Sequence, residues 1–238
     1  MATPTIYLLR HGETVWNSLG RFQGQQDSLL TRRGIEQADH VARLLRDTLC
    51  NDDQLFRMQI SPLGRVRQTA ERIQEKVPLP SVDDERLVEV TTGSWDGMTR
   101  FEIDNEFPGH LDGSDAFDWY FRAPDGERFD NACKRAMSWI ADVQHPTIAI
   151  SHGLFGRILR GVFLGLSKQE MLALPVPQDG FYRLHDHSLR SHYSLTRTIM
   201  IRLVGEDPGI TCTVAGGRHE NTQRHLSFLS RLPQPSGL

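Results

Sequence analysis

Three short segments, far apart in the chain, carry residue types able to hold and attack a phosphoryl group. They are Arg10-His11-Gly12, Arg65 shortly after Ser61-Pro62, and Ser151-His152-Gly153. A neutral imidazole has a lone pair that can attack phosphorus, and a guanidinium keeps its charge while presenting a planar fork of donors to phosphoryl oxygens. Each segment follows a short run that reads as a strand. In open α/β sheets ligands bind beyond the carboxyl ends of strands, where helix N-termini offer free N–H groups to anions. The arrangement therefore predicts that two histidines and two arginines converge on one spot. A lone histidine in such a chain is more often structural; the agreement of three segments reverses that weighting.

The elements that must position these residues follow from periodicity. Residues 6–9, Ile-Tyr-Leu-Leu, form a continuous apolar run, the pattern of a strand buried on both faces. After a polar loop over 12–30, Thr31 can cap a helix whose apolar positions are Ile35, Ala38, Val41, Ala42, Leu45 and Leu49. Residues 56–60 read as a second strand. Ser61 and Pro62 then read as the cap and first-turn residue of a helix reaching about Lys76. Residues 83–97 read as mostly irregular, with a short strand around Leu87 and turns at Gly93 and Gly97. From about 99 to 130 the chain is rich in acidic and aromatic residues and reads as short helices inserted over one end of the sheet, a lid. Its stripe of Phe117, Trp119, Tyr120 and Phe121 reads as lid core, with contact of some member with substrate as the alternative.

Phe129, Ala132, Cys133, Ala136, Ile140 and Val143 make an apolar helix face, which assigns Cys133 to packing. Residues 147–150 read as a buried strand ending at Ser151-His152-Gly153, followed by a helix from Leu154 to about Leu164. Strand-like residues at 181–184 and 199–204 extend the sheet, and the polar chain from Gly216 is expected to be loose.

The run Leu8-Leu-Arg-His-Gly-Glu-Thr-Val-Trp-Asn17 resembles the histidine phosphatase superfamily, also called the phosphoglycerate mutase-like family. The resemblance continues through Gln23-Gly24 with Asp27, Leu30-Thr31, Ser61-Pro-Leu-Gly-Arg-Val-Arg-Gln-Thr-Ala70, Leu87-Val-Glu89 with Gly93-Ser-Trp-Asp-Gly97, and Ser151-His-Gly153. It implies a three-layer α/β/α sandwich with a mostly parallel mixed sheet and a helical lid. The expected domain spans 1–205, with a loosely ordered extension over 206–238.

It also implies roles. His11 would be the nucleophile that becomes phosphorylated, and Arg10, Arg65, His152 and Asn17 would cage the phosphoryl oxygens. Glu89 would protonate the leaving alkoxide and then activate water. Gln23, Gly24 and Gly153 match positions lining the substrate pocket. No metal or other cofactor is expected, because arginine and histidine donors replace a cation in neutralising phosphoryl oxygens. The implied activity is that of a metal-independent phosphatase of the histidine acid phosphatase type, acting on a small-molecule phosphate monoester as a monomer or homodimer.

Departures from the family pattern bear on the substrate. Leu29 stands where proline is usual, Asp96 where glutamate is commoner, and Leu154 where glycine follows the second motif. Arg128 stands where serine is common, at a position where the family often builds its leaving-group pocket. The main rival is a cofactor-dependent phosphoglycerate mutase. Mutases resembling this chain carry an aromatic, a lysine and paired arginines after the catalytic glutamate; here Val90-Thr91-Thr92 follow Glu89. Between Phe101 and Asp130 nine acidic residues face only Arg122 and Arg128, a balance that would repel a bisphosphorylated cofactor. A catalytically silent phospho-ligand binding module is the third reading, and the intact set Arg10, His11, Arg65, Glu89 and His152 argues against it.

Composition sets outer bounds. The chain has 238 residues, enough for a full core, and a formal net charge of −3 with signs intermixed, which leaves no footprint for nucleic acid or an anionic membrane. Three scattered cysteines, Cys50, Cys133 and Cys212, fit neither a disulfide framework nor a CxxC zinc site. His185-Asp186-His187 with His192 reads as an exposed turn rather than a metal cluster. No apolar run approaches the roughly 18 residues of a membrane span, and the N-terminus lacks a secretory leader pattern. The expected location is the cytoplasm.

Overall fold

The computed structural model describes residues 4–50, 52–114, 118–186, 188–193, 199–201 and 212–214. Its centre is a mixed sheet. Strands β1 (Ile6–Arg10), β2 (Arg57–Ile60), β3 (Ser81–Asp83) and β4 (Thr147–Ser151) run parallel in the order β3-β2-β4-β1. Antiparallel strands β5 (Gly180–His185), β6 (Ser188–Tyr193), β7 (Ile199–Ile201) and β8 (Cys212–Val214) continue from β1. Register aligns the strand ends that matter: Arg10 pairs with Ser151 and Ile60 with Ile150. The next residue of each strand therefore emerges at one edge of the sheet. His11 N–H donates to the Ser151 carbonyl at 3.1 Å and Ser61 N–H to that of Ile150 at 3.0 Å.

Alternation along β1 builds the two outer layers, because successive side chains of a strand point to opposite faces. Tyr7 and Leu9 pack with Val41, Leu45, Val66 and Ile73 of helices α2 (Arg32–Leu49) and α3 (Gly64–Gln74). Ile6 and Leu8 share the other core with Ala136, Trp139, Phe155 and Ile158 of α5 (Phe129–Asp142) and α6 (Gly153–Leu164). The result is an α/β/α sandwich. Helix α1 (Val15–Ser18) follows β1, and α7 (Lys168–Ala173) follows α6.

The lid comprises α4 (Arg100–Glu106) and a 3₁₀ turn at Asp118–Phe121, around a separate core of Trp95, Ile103, Leu111, Trp119 and Ala123. Thr99 and Glu102 form a capping box at its first helix, and Glu102 also takes both Nη groups of Arg21, at 2.7 and 2.8 Å. Lys168 on α7 pairs with Asp118, fastening the far side of the lid. Among the described residues no helix is long and apolar enough to cross a membrane.

Thr31 does cap α2, accepting from Gly34 N–H at 3.0 Å. Four local expectations require correction. Helix α3 starts at Gly64 and ends at Gln74, and Ser61 does not cap it; the Asp27 carboxylate does, accepting from Gly64 N–H at 2.6 Å and Arg65 N–H at 3.2 Å. Leu87 lies in a 3₁₀ turn, Glu85–Leu87, and the strand in this region is β3. Ile35 is 39% exposed, because the buried face of α2 runs through Gly34, Ala38, Val41, Ala42 and Leu45. Arg128 is exposed as the residue preceding α5 and does not line the cleft described next. Phe117, His187, Val204 and the chain from Gly216 lie outside the described residues.

Candidate active site

At the carboxyl edge of the parallel strands lies a cleft of about 870 Å³, open solvent at its mouth included. Its walls carry Arg10, His11, Asn17, Gln23, Gly24, Arg65, Glu89 and Gly153. His152 joins them through His11, the two ring centroids standing 5.3 Å apart. Both imidazoles are buried, as is Arg65. Strand register thus brings Arg10-His11 and Ser151-His152-Gly153, up to 143 positions apart, to one place, and the loops and helices that follow carry the remaining wall residues to it.

His11 Nδ1 lies 2.8 Å from the Gly12 carbonyl oxygen. A carbonyl can only accept, so Nδ1 carries the proton and the neutral ring keeps its lone pair on Nε2. Burial, then the charges of Arg65 and Arg10, hold the His11 pKa well below the usual histidine value of 6.5. His152 is lowered likewise, by burial first and then by Arg65, His11 and Arg10. A buried imidazole flanked by guanidinium groups is therefore neutral at neutral pH, the state required for attack.

Arg65 is fixed from three sides. Nη1 donates to the Gln26 carbonyl at 2.6 Å and to Asp27 Oδ1 at 2.8 Å, and Nη2 donates to the Gly24 carbonyl at 2.7 Å. Arg10 Nη1 donates to the Val176 carbonyl at 2.9 Å. What remains is informative: Arg10 Nε, Arg65 Nε and His152 Nδ1 are buried with no hydrogen-bond partner among the described residues. Buried polar atoms are nearly always paired, and a cluster of unpaired nitrogens including two cationic donors has the composition an anion would satisfy.

Glu89 accepts from three backbone N–H groups: Val90 at 2.9 Å, Leu154 at 3.1 Å and Phe155 at 2.8 Å. It thus supplies the cap that His152, the residue before α6, does not make with its own side chain. Two of these bonds fall on Oε1 and one on Oε2, so the carboxylate is fixed on the cleft wall while Oε2 keeps a lone pair for a proton. Asn17 Oδ1 accepts from Thr14 N–H at 3.2 Å and from Gln178 Nε2 at 3.4 Å, which leaves its Nδ2 protons as the group it has to offer a ligand. Gln23 is committed at both ends, donating to Thr14 Oγ1 at 2.8 Å and accepting from Ser28 Oγ at 3.2 Å.

Gly24 has a φ of 48°, and a Cβ there would lie 1.9 Å from Asp96 Oδ1. Asp96 in turn accepts from Gln25 N–H, Thr91 Oγ1 and both N–H and Oγ1 of Thr92, joining the loop that holds Arg65 to the segment that follows Glu89. A Cβ on Gly153 would meet Arg10 Nε at 3.2 Å, so a side chain there would crowd the guanidinium.

Several wall residues were not singled out from the sequence. Arg157 lines the cleft, its Nε donating to the Leu174 carbonyl at 2.7 Å, beside Phe22 and Arg21; Tyr120, from the aromatic stripe, lines it too. It lies four residues after Gly153 on α6, so helical spacing from the third motif was the available signal. Asp27 and Asp96, both within the quoted motifs, orient the cage without lining it, a role that the motifs do not spell out.

The neutral imidazoles have a measurable consequence. The unfolded chain binds protons at its histidines near 6.5 while the buried pair does so only well below it. Over that interval the unfolded state binds more protons, so stability rises with pH and is lost progressively as pH falls through and below 6.5. We expect the urea midpoint to drop between about pH 7.5 and about pH 5.5, with proton uptake on unfolding approaching two. A midpoint flat across that range would contradict neutral buried imidazoles.

A family model described as the histidine phosphatase superfamily (branch 1) matches residues 6–195. The Erwinia tasmaniensis protein named "Probable phosphoglycerate mutase GpmB" is 33% identical over 171 residues, 68% of this chain and 75% of that protein. Among solved structures, Bacillus stearothermophilus YhfR is 28% identical with a TM-score of 0.64, covering 90% of this chain and 96% of that one. A mycobacterial glucosyl-3-phosphoglycerate phosphatase is 26% identical with a TM-score of 0.61, covering 76% and 90% respectively. On the extent of the family match and the identity to the Erwinia protein, the chain belongs to branch 1 of the histidine phosphatase superfamily.

Proposed function

We propose that the protein hydrolyses small-molecule phosphate monoesters through a phosphohistidine on His11. The observation that carries this reading is the set of unpartnered buried nitrogens on Arg10, Arg65 and His152 around an imidazole whose Nδ1 is already bound to the Gly12 carbonyl. In the first step His11 Nε2 forms a bond to phosphorus as the ester P–O bond breaks, and the departing alkoxide takes a proton from Glu89. In the second, Glu89 accepts a proton from water as that water attacks phosphorus, breaking the P–N bond and releasing inorganic phosphate. Arg10, Arg65, His152 and Asn17 stabilise charge on the non-bridging oxygens throughout, so no metal is needed. The sparse cysteines support a cytoplasmic setting, with the chain acting as a monomer or homodimer.

Hydrolysis is favoured over mutase activity by the lid. Arg122 is committed to Asp118 and to the carbonyls of Asp112 and Gly113, and exposed Arg128 stands away from the cleft. The leaving-group side is walled by Phe22, Val90, Tyr120, Leu154 and Val176, which supports monophosphates bearing an uncharged or partly apolar group. A mutase is the second reading, favoured by Arg21 and Arg157 on the cleft wall and by the name of the Erwinia relative. A phosphometabolite panel run in chelator, with phosphoglycerate mutase activity measured alongside, separates them. Full turnover of uncharged-alcohol monophosphates in EDTA is expected. Bisphosphates hydrolysed fastest, or isomerisation outrunning hydrolysis, would reject the phosphatase reading.

A further inference from the structure

Ser61, the residue after β2, lies beside the third motif, fully buried, with its Oγ 2.8 Å from His152 Nε2. Neither ring nitrogen of His152 is assigned a proton by that distance alone, but the surroundings of the hydroxyl decide it. Leu63 N–H donates to Ser61 Oγ at 3.4 Å, so the oxygen already serves as an acceptor. Its own proton, buried with it, has His152 Nε2 as the acceptor within reach. If the hydroxyl donates to Nε2, a neutral His152 must carry its proton on Nδ1, and Nδ1 is the atom that has no partner among the described residues.

We propose that Ser61 is a positioning residue that fixes the tautomer of His152, so that the ring presents Nδ1–H as a neutral donor to the transferring phosphoryl group. The idea rests on the phosphatase reading for its consequence but not for its geometry. Without the hydroxyl, a neutral His152 is free to move its proton to Nε2, the tautomer that a histidine side chain prefers in water, and Nδ1 would turn a lone pair toward an anion. A donor would become a repulsive acceptor while the overall charge of the site stayed the same. This explains a pairing of Ser61 with a catalytic-motif residue 91 positions away that its sequence context, a helix start, did not suggest.

The test joins a spectroscopic readout to kinetics. Long-range ¹⁵N–¹H correlation on the resting full chain, with the His152 signals assigned through His152→Gln, should show the proton on Nδ1. In Ser61→Ala it should move wholly or partly to Nε2, with kcat for p-nitrophenyl phosphate lowered about a hundredfold, the lower end of the scale for losing one transition-state donor. Ser61→Thr, which keeps the hydroxyl, should restore both. Because the alanine variant removes one oxygen and adds no bulk, its urea midpoint serves to check that it is folded.

A wild-type proton on Nε2, or an alanine variant with unchanged tautomer or unchanged kcat, would overturn the proposal. The spectrum needs no substrate, so a chain without phosphatase activity would sink the functional reading and leave the tautomer assignment to be judged on its own. An alanine variant with reduced kcat but a His152 proton still on Nδ1 would assign Ser61 a structural role and also reject the proposal.

Discussion

Replacing His11 with alanine should lower kcat for every phosphate monoester by about four orders of magnitude or more, the scale seen when a covalent nucleophile is removed. The substitution takes away the Nε2 lone pair and leaves the arginine cage intact. Substrate affinity should therefore change far less than kcat, and inorganic phosphate should still bind. Structurally the loss is small: one buried ring and its bond to the Gly12 carbonyl, about 1–3 kcal/mol for an unsatisfied acceptor. A folded, phosphate-binding, inactive protein is the expected outcome, measured by steady-state kinetics with a phosphate-binding titration. Turnover surviving within tenfold of wild type would move the nucleophile elsewhere.

Arg65→Ala should damage both activity and the fold, and the contrast with His11→Ala is the point of the comparison. The guanidinium holds the carbonyls of Gly24 and Gln26 and the carboxylate of Asp27, which itself caps α3. Removing one partner of a buried ion pair costs about 3–5 kcal/mol. Asp27 is 36% exposed and water can take over part of its solvation, so the lower end, about 3 kcal/mol, is expected. Catalysis loses a fixed charge aimed at the transferring group, and kcat/KM should fall about a thousandfold. Arg65→Lys keeps a charge but loses the fork, so it should recover part of the stability and little of the activity. Urea titrations and kinetics on the two variants check this; an alanine variant as stable as wild type would mean that the loop carrying Gly24 and Gln26 is held by other contacts.

What could be read from the sequence was whatever local pattern encodes. The buried strand over residues 6–9 and the strand ending at Ser151 showed as continuous apolar runs, and the polar triplets behind them were visible because parallel strands place their following residues at one edge. The start of α3 differs from its local pattern for a tertiary reason: Ser61-Pro62 has the form of a helix start, but the cap comes from Asp27 in a loop 37 residues earlier, and Ser61 turns to His152 instead. Around Leu87 an apolar cluster suggested a strand; the residue is buried by packing into the core beside α5 and α6, which needs no ladder.

Arg128 illustrates the limit of positional transfer, since a residue preceding a helix can point to solvent whatever its relatives do there. Arg157 was missed for the opposite reason. Its signal was helical spacing from Gly153, a pattern that marks a shared face but not whether that face looks onto a cleft. Asp96 is marked in the sequence by its place in Gly93-Ser-Trp-Asp-Gly97, but its role is not: that lies in four hydrogen bonds to segments on both sides of the site.

The covalent intermediate itself is the most direct test. Trypsin cleaves after Arg10 and Arg21, which isolates residues 11–21 with His11 as the sole histidine in the peptide. Enzyme mixed with substrate, quenched within the turnover time under alkaline conditions and digested, should yield this peptide bearing one phosphoryl group that is lost on mild acid treatment, as a P–N bond requires. The same peptide without phosphate, or an acid-stable phosphate on Thr14 or Ser18, would contradict transfer through His11.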